Sequence, residues 1–275
     1  MSRIIAYPGT EGSFSYSAAR QAFPWETFAG HETFEECAQA VVDGRADYAL
    51  LPIENSFAGA VLATYRILEK QPLHIVGEVR RTVRHMLLGL PDACLEDVRV
   101  ISSHPQAIAQ CDTFLAGLRH VQILPGLNTA LCAREVQQTG DRTRAAIASA
   151  EAAEVFGLKV LAENIQSSDH NTTRFFVVSR EDAPLGDPEK ATVVFRVNNE
   201  VGVLARLLTC FASHGLNMTR IESRPIPDEP FLYFFSSDFE GNMDLAELRR
   251  ALREAEAFTS ELRLLGVYPK AGEVR

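Results

Sequence analysis

The chain has 275 residues, 46% of them hydrophobic and 23% charged, and a formal net charge of −9. That length exceeds one average domain, so two or three packed units are expected. The acidic balance works against a nucleic-acid surface, which needs clustered lysine and arginine, and no apolar run approaches the roughly 20 residues of a membrane helix.

Through the first 180 residues short apolar runs alternate with helical patterns, the βαβ rhythm of a mostly parallel sheet covered by helices. The run "RIIAY" leads into the turn "PGTEGS" and a helix from about Ser15 to Phe23, and "DYALLPI" leads into "ENSFAG" and a helix from about Ala60 to Glu69. Further on, "VRVIS" meets "SHPQAIAQCDTFLAG", where Ser103 and Gln106 have capping-box spacing and Pro105 falls in the first turn. The strand "RAAIA" then precedes Ser149 and the helix "AEAAEVFG", with Gly157 in the stop position. The segment "SREDAPLGDPEK" carries proline, glycine and charge without periodicity and reads as a linker over about residues 181–190. Beyond it come a strand "ATVVFRV", a helix from about Val201 to His214 closed by Gly215, and a strand near "NMTRIESRPI". A "PDEP" turn, a strand "FLYFFSS", a helix from about Asp244 to Ala257 and a strand "ELRLLGVY" complete a βαββαβ order. That order is a ferredoxin-like unit, small enough to lean on a partner surface.

The opening "MSRIIAYPGTEGSF" lacks the long apolar core and cleavage site of a signal peptide, so a cytoplasmic protein is expected. Five scattered cysteines without a CxxC pair fit reduced thiols, most of them small core residues, and seven histidines show no HxxxH or HExxH spacing, so no metal is expected. The locally basic "VRRTVRH" reads as a solvated strand face.

Strand-to-helix turns place unpaired backbone N–H groups and a positive dipole end where an anion can sit. The turn "GTEGS" (Gly9 to Ser13) lacks the lysine and spacing of a P-loop and reads equally as an ordinary tight turn. In "ENS" (Glu54, Asn55, Ser56), Asn55 offers a donor and an acceptor at the end of an apolar strand, where open α/β sheets bind ligands; a local capping turn accounts for it equally. Ser103 and Gln110 are seven residues apart, two turns along one helical face. Capping explains Ser103, but Gln110 stands on a helix otherwise apolar on its packing faces. The stretch "SSDHNTTRFFVVS" sets Asn171, Thr172, Thr173 and Arg174 against an apolar strand. If it is extended, Thr173, Phe175 and Val177 face one way and Arg174, Phe176 and Val178 the other. Thr173 and Arg174 then serve one ligand only if the strand bends or begins there; otherwise Arg174 is an end-of-strand ion-pair partner and Thr173 a β-former.

Taken in order, "YPGTEGSFS", "PIENSFAGAV", "SHPQAIAQC", "NTTRFF" and "NMTRIESRP" resemble prephenate dehydratase in its stand-alone form with a C-terminal ACT domain, over nearly the whole chain. The resemblance implies an α/β catalytic region over residues 1–180, built of two subdomains (about 1–77 with 164–180, and 78–163) like a type 2 periplasmic binding protein, and an ACT domain over 191–275. It implies decarboxylating dehydration of prephenate to phenylpyruvate, water and CO2 in phenylalanine biosynthesis, with no cofactor. Thr173 is similar to the family's catalytic threonine, and Asn55, Ser103 and Gln110 match active-site positions. Arg174, Thr172, Ser56, Ser13 and Phe175 are expected to bind substrate; bidentate geometry suits Arg174 to a carboxylate, and the side-chain one is the better partner because the charge of the ring carboxylate disperses in the transition state. Gly202, Val203, Leu204 and Ala205 of "GVLA" and Glu222, Ser223, Arg224 and Pro225 of "ESRP", with Asn217 and Met218, resemble the motifs that bind phenylalanine between paired ACT domains. Feedback by L-phenylalanine and a homodimer or homotetramer are therefore implied, with no nucleic-acid or membrane partner. Thr10 stands where the family usually has proline, Ser13 where it has threonine, Ser167 where it has aspartate, Val203 where it has alanine and Met218 where it has leucine. The competing expectations are an arogenate dehydratase and a non-enzymatic amino-acid sensor.

Overall fold

Side-chain caps specify where many of the helices begin. Ser13, Thr33, Asn128 and Ser149 each accept a hydrogen bond from a backbone N–H in the following turn, and Gly140 and Gly157, both at φ 61°, stop two of the helices. The structure is a computed structural model that describes residues 2–226, 229–241 and 245–272. Its elements begin with β1 (Ile4–Pro8), α1 (Phe14–Ala22), β2 (Thr27–His31), α2 (Phe34–Val42), β3 (Tyr48–Asn55), β4 (Gly59–Ala60), α3 (Leu62–Lys70) and β5 (His74–Thr82). There follow β6 (Met86–Gly89), β7 (Val100–Ser103), α4 (Pro105–Gln110), α5 (Asp112–Ala116), β8 (Gln122–Pro125), α6 (Thr129–Thr139), β9 (Arg144–Ala148), α7 (Ala150–Phe156), β10 (Lys159–Ala162) and β11 (Thr172–Ser179). The last are β12 (Lys190–Val197), α8 (Val203–Ser213), β13 (Asn217–Ile226), β14 (Glu229–Glu240), α9 (Leu245–Ala255) and β15 (Thr259–Tyr268). Among the described residues no helix is long and apolar enough to cross a membrane.

Among the described residues these strands form three sheets. The first has strand order β2-β1-β3-β11-β5, with β4 folded back on the end of β3; the second has order β10-β6-β9-β7-β8. β1 runs parallel to β2 and β3, and β7 parallel to β8 and β9, while β6 is antiparallel to its neighbours. Strand alternation sorts the second sheet's two faces: Leu88 and Ala146 pack with Cys132, Ala133 and Ala152, and Leu87, Ala145 and Ile147 pack with Ala107 and Cys111. These two sheets make up the α/β part of the expected fold. The third sheet is antiparallel with order β13-β14-β12-β15, the ferredoxin-like arrangement of the expected βαββαβ unit.

The chain forms two units. One holds the described residues up to 61 together with Val79–Phe175, and the other holds Leu62–Glu78 with the described residues of Phe176–Gly272, so the division falls inside β5 and β11. In the second unit, one face of β12 (Ala191, Val193, Phe195) packs on Leu207 and Phe211 of α8 and Leu248 and Ala251 of α9. The other face is polar and still buried. Lys190, Thr192 and Val194 are at most 1% exposed. There Thr192 Oγ1 donates to Asp238 Oδ1 (2.8 Å) and accepts from the Tyr268 hydroxyl (2.7 Å), and Arg220 pairs with Asp238 (3.0 Å) beneath the Tyr65 ring. Arg263 donates to four carbonyls, those of Leu68, Glu69, Gln71 and Leu73, and so satisfies the open C-terminal end of α3. Arg224 pairs with Glu69.

Several sequence expectations shift. α3 starts at Leu62 because Gly59 and Ala60 pair with Asn55 and Glu54 as β4. The "SHPQ" helix is capped by His104, whose ring Nδ1 accepts from the Gln106 N–H at 3.2 Å, while Ser103 donates its hydroxyl to the Ile147 carbonyl at 2.7 Å. That helix breaks at Cys111 into α4 and α5. α8 begins at Val203 because Gly202, at φ 74°, is its N-cap. Pro227 and Asp228 of the "PDEP" turn, and the expected helix start at Asp244, lie outside the described residues.

Lys190 was expected in a linker but is buried in β12, its Nζ 2.8 Å from Glu78 Oε2 and 3.2 Å from Glu240 Oε1. A buried charge held by partners is strongly destabilising when one partner is removed. Lys190→Met is expected to lose roughly 3–5 kcal/mol of unfolding free energy in denaturant titrations, with Glu78→Met/Lys190→Met recovering most of it. A single variant within about 1 kcal/mol of the parent contradicts this reading of the pair.

Candidate active site

The end of β3 and the start of β11 are clamped together by backbone and hydroxyl. Ser56 N–H donates to the Thr172 carbonyl (3.0 Å), Thr172 N–H donates to Ser56 Oγ (3.0 Å), and Ser56 Oγ donates to the His170 carbonyl (2.9 Å). This sets Asn55 beside Asn171 and Thr173. Asn55 Oδ1 accepts from the backbone N–H groups of Phe57 and Ala58, both at 3.0 Å, which turns its amide nitrogen toward β11. Asn55 Nδ2 then donates to Asn171 Oδ1 (2.8 Å) and to Thr173 Oγ1 (3.0 Å). Asn171 Nδ2 donates in turn to Gln110 Oε1 (3.0 Å), and Gln110 Oε1 lies 2.8 Å from His85 Nε2. Burial holds the His85 imidazole below its ordinary pKa.

Thr173, Asn55, Asn171, Gln110 and His85 line a cavity of about 350 Å³ that lies wholly within the first unit. The N-terminal ends of three helices also line it: Ser13 and Phe14 of α1, His104 and Gln106 of α4, and Asn128 and Thr129 of α6. Ala58, Val61, Val83 and Ala107 supply apolar wall. Among the described residues, those lining the cavity include no lysine, arginine or carboxylate. Attraction for an anion there would have to come from oriented dipoles, chiefly those of the nine-residue α1 and eleven-residue α6.

The sequence-predicted residues divide accordingly. Asn55, Gln110, Thr173 and Ser13 meet at the cavity. Ser103 is fully buried and bonded to Ile147, so its hydroxyl is not presented there. Arg174 follows strand parity away from Thr173 and pairs with Glu54 at 3.4 Å, and Phe175 is 1% exposed in the core; neither lines the cavity. Ser56 and Thr172 act as the strand clamp. Sequence reasoning left Asn171, His85, His104 and Asn128 unassigned. Asn171 shares the parity of Thr173, and Asn128 is a helix cap at a strand exit, signals that were available. The buried thiols of Cys37 and Cys111 are pushed up to about 12 by burial, which removes them as nucleophiles.

In the third-sheet unit, Gly202 opens α8, Val203 is buried, Leu204 and Met218 pack at the edge of the core, and Ala205, Asn217, Ser223 and Pro225 are exposed. Glu222 is half-buried on β13, and Arg224 is buried over the Phe234 ring and paired with Glu69. Cys210, His214 and Glu254 bring potential ligand atoms within 4.8 Å, a grouping the sequence spacing does not show. His214 is engaged at Nδ1 by Glu247 (2.5 Å) and at Nε2 by Glu254 (3.0 Å); these hydrogen bonds raise its pKa and make it an ion-pair partner of the two carboxylates.

Comparison with known proteins agrees with this architecture. The family model for prephenate dehydratase matches residues 5–183, and that for the ACT domain matches residues 191–257. The chain is 41% identical to a bifunctional N-acyl-homoserine lactone acylase/prephenate dehydratase of Komagataeibacter europaeus, covering 97% of this chain and 96% of that protein. It is 39% identical to arogenate dehydratase/prephenate dehydratase 1 of Arabidopsis thaliana, covering 96% of this chain and 71% of that protein. The crystal structure of prephenate dehydratase from Arthrobacter aurescens in complex with L-Phe superposes with a TM-score of 0.87 at 32% identity, over 98% of this chain and 90% of that one. An α/β cleft lined by amides, a hydroxyl and helix N-termini, joined to a ferredoxin-like module, defines the class of protein. The chain belongs to the prephenate dehydratase family and carries an ACT domain.

Asn55→Asp removes both bonds donated toward β11 and places a carboxylate against Thr173 Oγ1 and Asn171 Oδ1. It is expected to cut dehydratase turnover by about 10²-fold or more while circular dichroism reports an intact fold. Parent-like turnover contradicts the direction assigned to this network.

Proposed function

We propose that this cleft catalyses loss of hydroxide and CO2 from prephenate, giving phenylpyruvate and water, with Thr173 as the group that delivers the proton to the departing oxygen. The observation that carries the reading is that Asn55 already donates to Thr173 Oγ1, so the threonine's own proton is the one left to point into the cavity. The C–O bond breaks as that proton is transferred. The electron pair of the ring-to-carboxylate bond completes the aromatic ring, CO2 leaves, and solvent restores the proton to Thr173. A free threonine hydroxyl is a weak acid, so its contribution rests on positioning and on the Asn55 bond that stabilises developing charge on oxygen.

The lining chemistry also favours prephenate over arogenate. Helix N-termini suit the two carboxylates of prephenate, whereas the ammonium group of arogenate would meet the positive ends of dipoles and no lining carboxylate. Dipoles suit the ring carboxylate for a further reason. A guanidinium would stabilise it most in the ground state, before its charge disperses into CO2. Arg174, sequestered with Glu54, is accordingly read as an anchor of β11 and not as a substrate ligand.

The proposed division is a catalytic region over residues 1–180, a linker over 181–189 and an ACT domain that begins with β12 at Lys190. The L-Phe complex of the related structure supports phenylalanine as effector. Feedback inhibition, a homodimer or homotetramer pairing through the ACT and catalytic domains, and a cytoplasmic setting complete the reading.

Purified protein mixed with prephenate is expected to develop phenylpyruvate absorbance in alkali, with suppression by L-phenylalanine and with kcat/KM for arogenate at least about 10-fold lower. Thr173→Val is expected to lower kcat by about 10²-fold or more with little change in KM. Arg174→Gln is expected to lower the Tm more clearly than it moves KM. Full activity in Thr173→Val overturns the mechanism, and a large KM effect in Arg174→Gln returns the arginine to the substrate.

A further inference from the structure

His85 lies one residue before β6, is 2% exposed, and sits edge-on to Phe14 with ring centroids 5.4 Å apart. Its backbone is held on both sides: the N–H donates to Gln166 Oε1 (2.9 Å) and the carbonyl accepts from Ile165 N–H (2.9 Å). The ring Nε2 is 2.8 Å from Gln110 Oε1, while the buried Nδ1 has no hydrogen-bond partner among the described residues.

Which ring nitrogen carries the proton follows from groups whose hydrogens are beyond choice. The backbone N–H groups of Phe57 and Ala58 can only donate, so the Asn55 atom facing them is its oxygen. The Asn55 amide nitrogen therefore faces Asn171, which must present its oxygen there and its nitrogen to Gln110. Gln110 must in turn present its oxygen to Asn171, and the same oxygen faces His85. An oxygen can only accept, so His85 Nε2 is protonated. Nδ1 then carries a bare lone pair. An imidazolium would bury a second donor with no acceptor, and burial opposes that charge.

With Asn171 and His85 both donating to its oxygen, the Gln110 carboxamide cannot flip without breaking two bonds. Its NH2 group is then the part left to donate outward, and Gln110 lines the cavity. We infer that His85, as the neutral Nε2–H tautomer, is a positioning residue of the dehydratase: it locks the Gln110 carboxamide so that the amide N–H donors face the substrate. This rests on the dehydratase reading of the cleft and extends the machinery to a residue that does not itself touch the reacting atoms. Gln fits the role as a replacement because its amide can place an N–H near the position of Nε2, whereas Leu fills the space without a donor.

Two measurements separate the inference from the reading beneath it. Long-range 15N NMR of the full chain labelled at histidine is expected to show His85 at pH 7 as the Nε2–H tautomer, whatever the turnover. In the prephenate assay, His85→Leu is expected to lower kcat by about 10-fold to 10²-fold with KM within about 3-fold, and His85→Gln to regain most of the loss. An imidazolium or an Nδ1–H tautomer overturns the inference, as does a His85→Leu variant as fast as the parent or a His85→Gln variant as slow as a folded His85→Leu. If His85→Leu fails to fold, the tautomer and the His85→Gln rate decide. A parent inactive on prephenate with the Nε2–H tautomer present sinks the functional reading while the lock on Gln110 stands.

Discussion

The site depends on one asymmetric contact, the pair of backbone N–H groups of Phe57 and Ala58 donating to Asn55 Oδ1. A carboxamide has two ends of nearly equal shape, and only its partners decide which faces where. Backbone donors cannot reverse, so they give the chain of side chains a direction from Asn55 to Asn171 and Gln110, with His85 closing the far end. The same decision sends the second Asn55 proton to Thr173 and leaves the threonine hydroxyl free to donate outward. Partly satisfied polar networks in low dielectric are costly, and here the internal bonds leave donors of Thr173 and Gln110 for a ligand. The short turn between β3 and β4 therefore sets the direction of the network, since it supplies the two backbone groups.

How much of this is legible in the sequence depends on whether the deciding interaction is local. Parity along "TTRFF" separates Thr173 from Arg174, and the structure puts them on opposite faces of β11, one at the cavity and one against Glu54. Helix caps at Ser149 and Gly157 are equally readable. The Ser103–Gln106 spacing misleads because a histidine ring between them can cap as well, and the serine has a better partner in the Ile147 carbonyl 44 residues away. Lys190 misleads for the same reason. Next to Asp187, Pro188 and Glu189 it reads as linker, and only Glu78, 112 residues distant, makes its burial sustainable. His85 is hidden inside a basic run that looks solvated; its role exists only once Gln110 and Asn171 arrive from other parts of the chain. Local chemistry is visible in one dimension, whereas partners of buried polar groups are not.

The absence of lining charge among the described residues constrains the chemistry more than any single side chain does. Prephenate enters with two negative charges and leaves one of them as neutral CO2, so a site that held both carboxylates with fixed cations would deepen the ground state it must escape. Helix N-termini offer attraction that is real but shallow, about 0.3–1 kcal/mol each at exposed sites and more when partly buried. That is enough to orient a dianion through several such contacts without trapping the departing charge. The harder task is at the other end of the ring, where oxygen must leave with a proton from a group that is barely acidic. In the proposed mechanism the Asn55 amide, already bonded to Thr173 Oγ1, lowers the cost of transient negative charge on the threonine oxygen, and the cost of orienting it has been met during folding. On the proposed mechanism a threonine can serve there because its neighbours on β3 and β11 are fixed before substrate arrives, and the strand clamp made by Ser56 and Thr172 supports that role although neither residue lines the cavity.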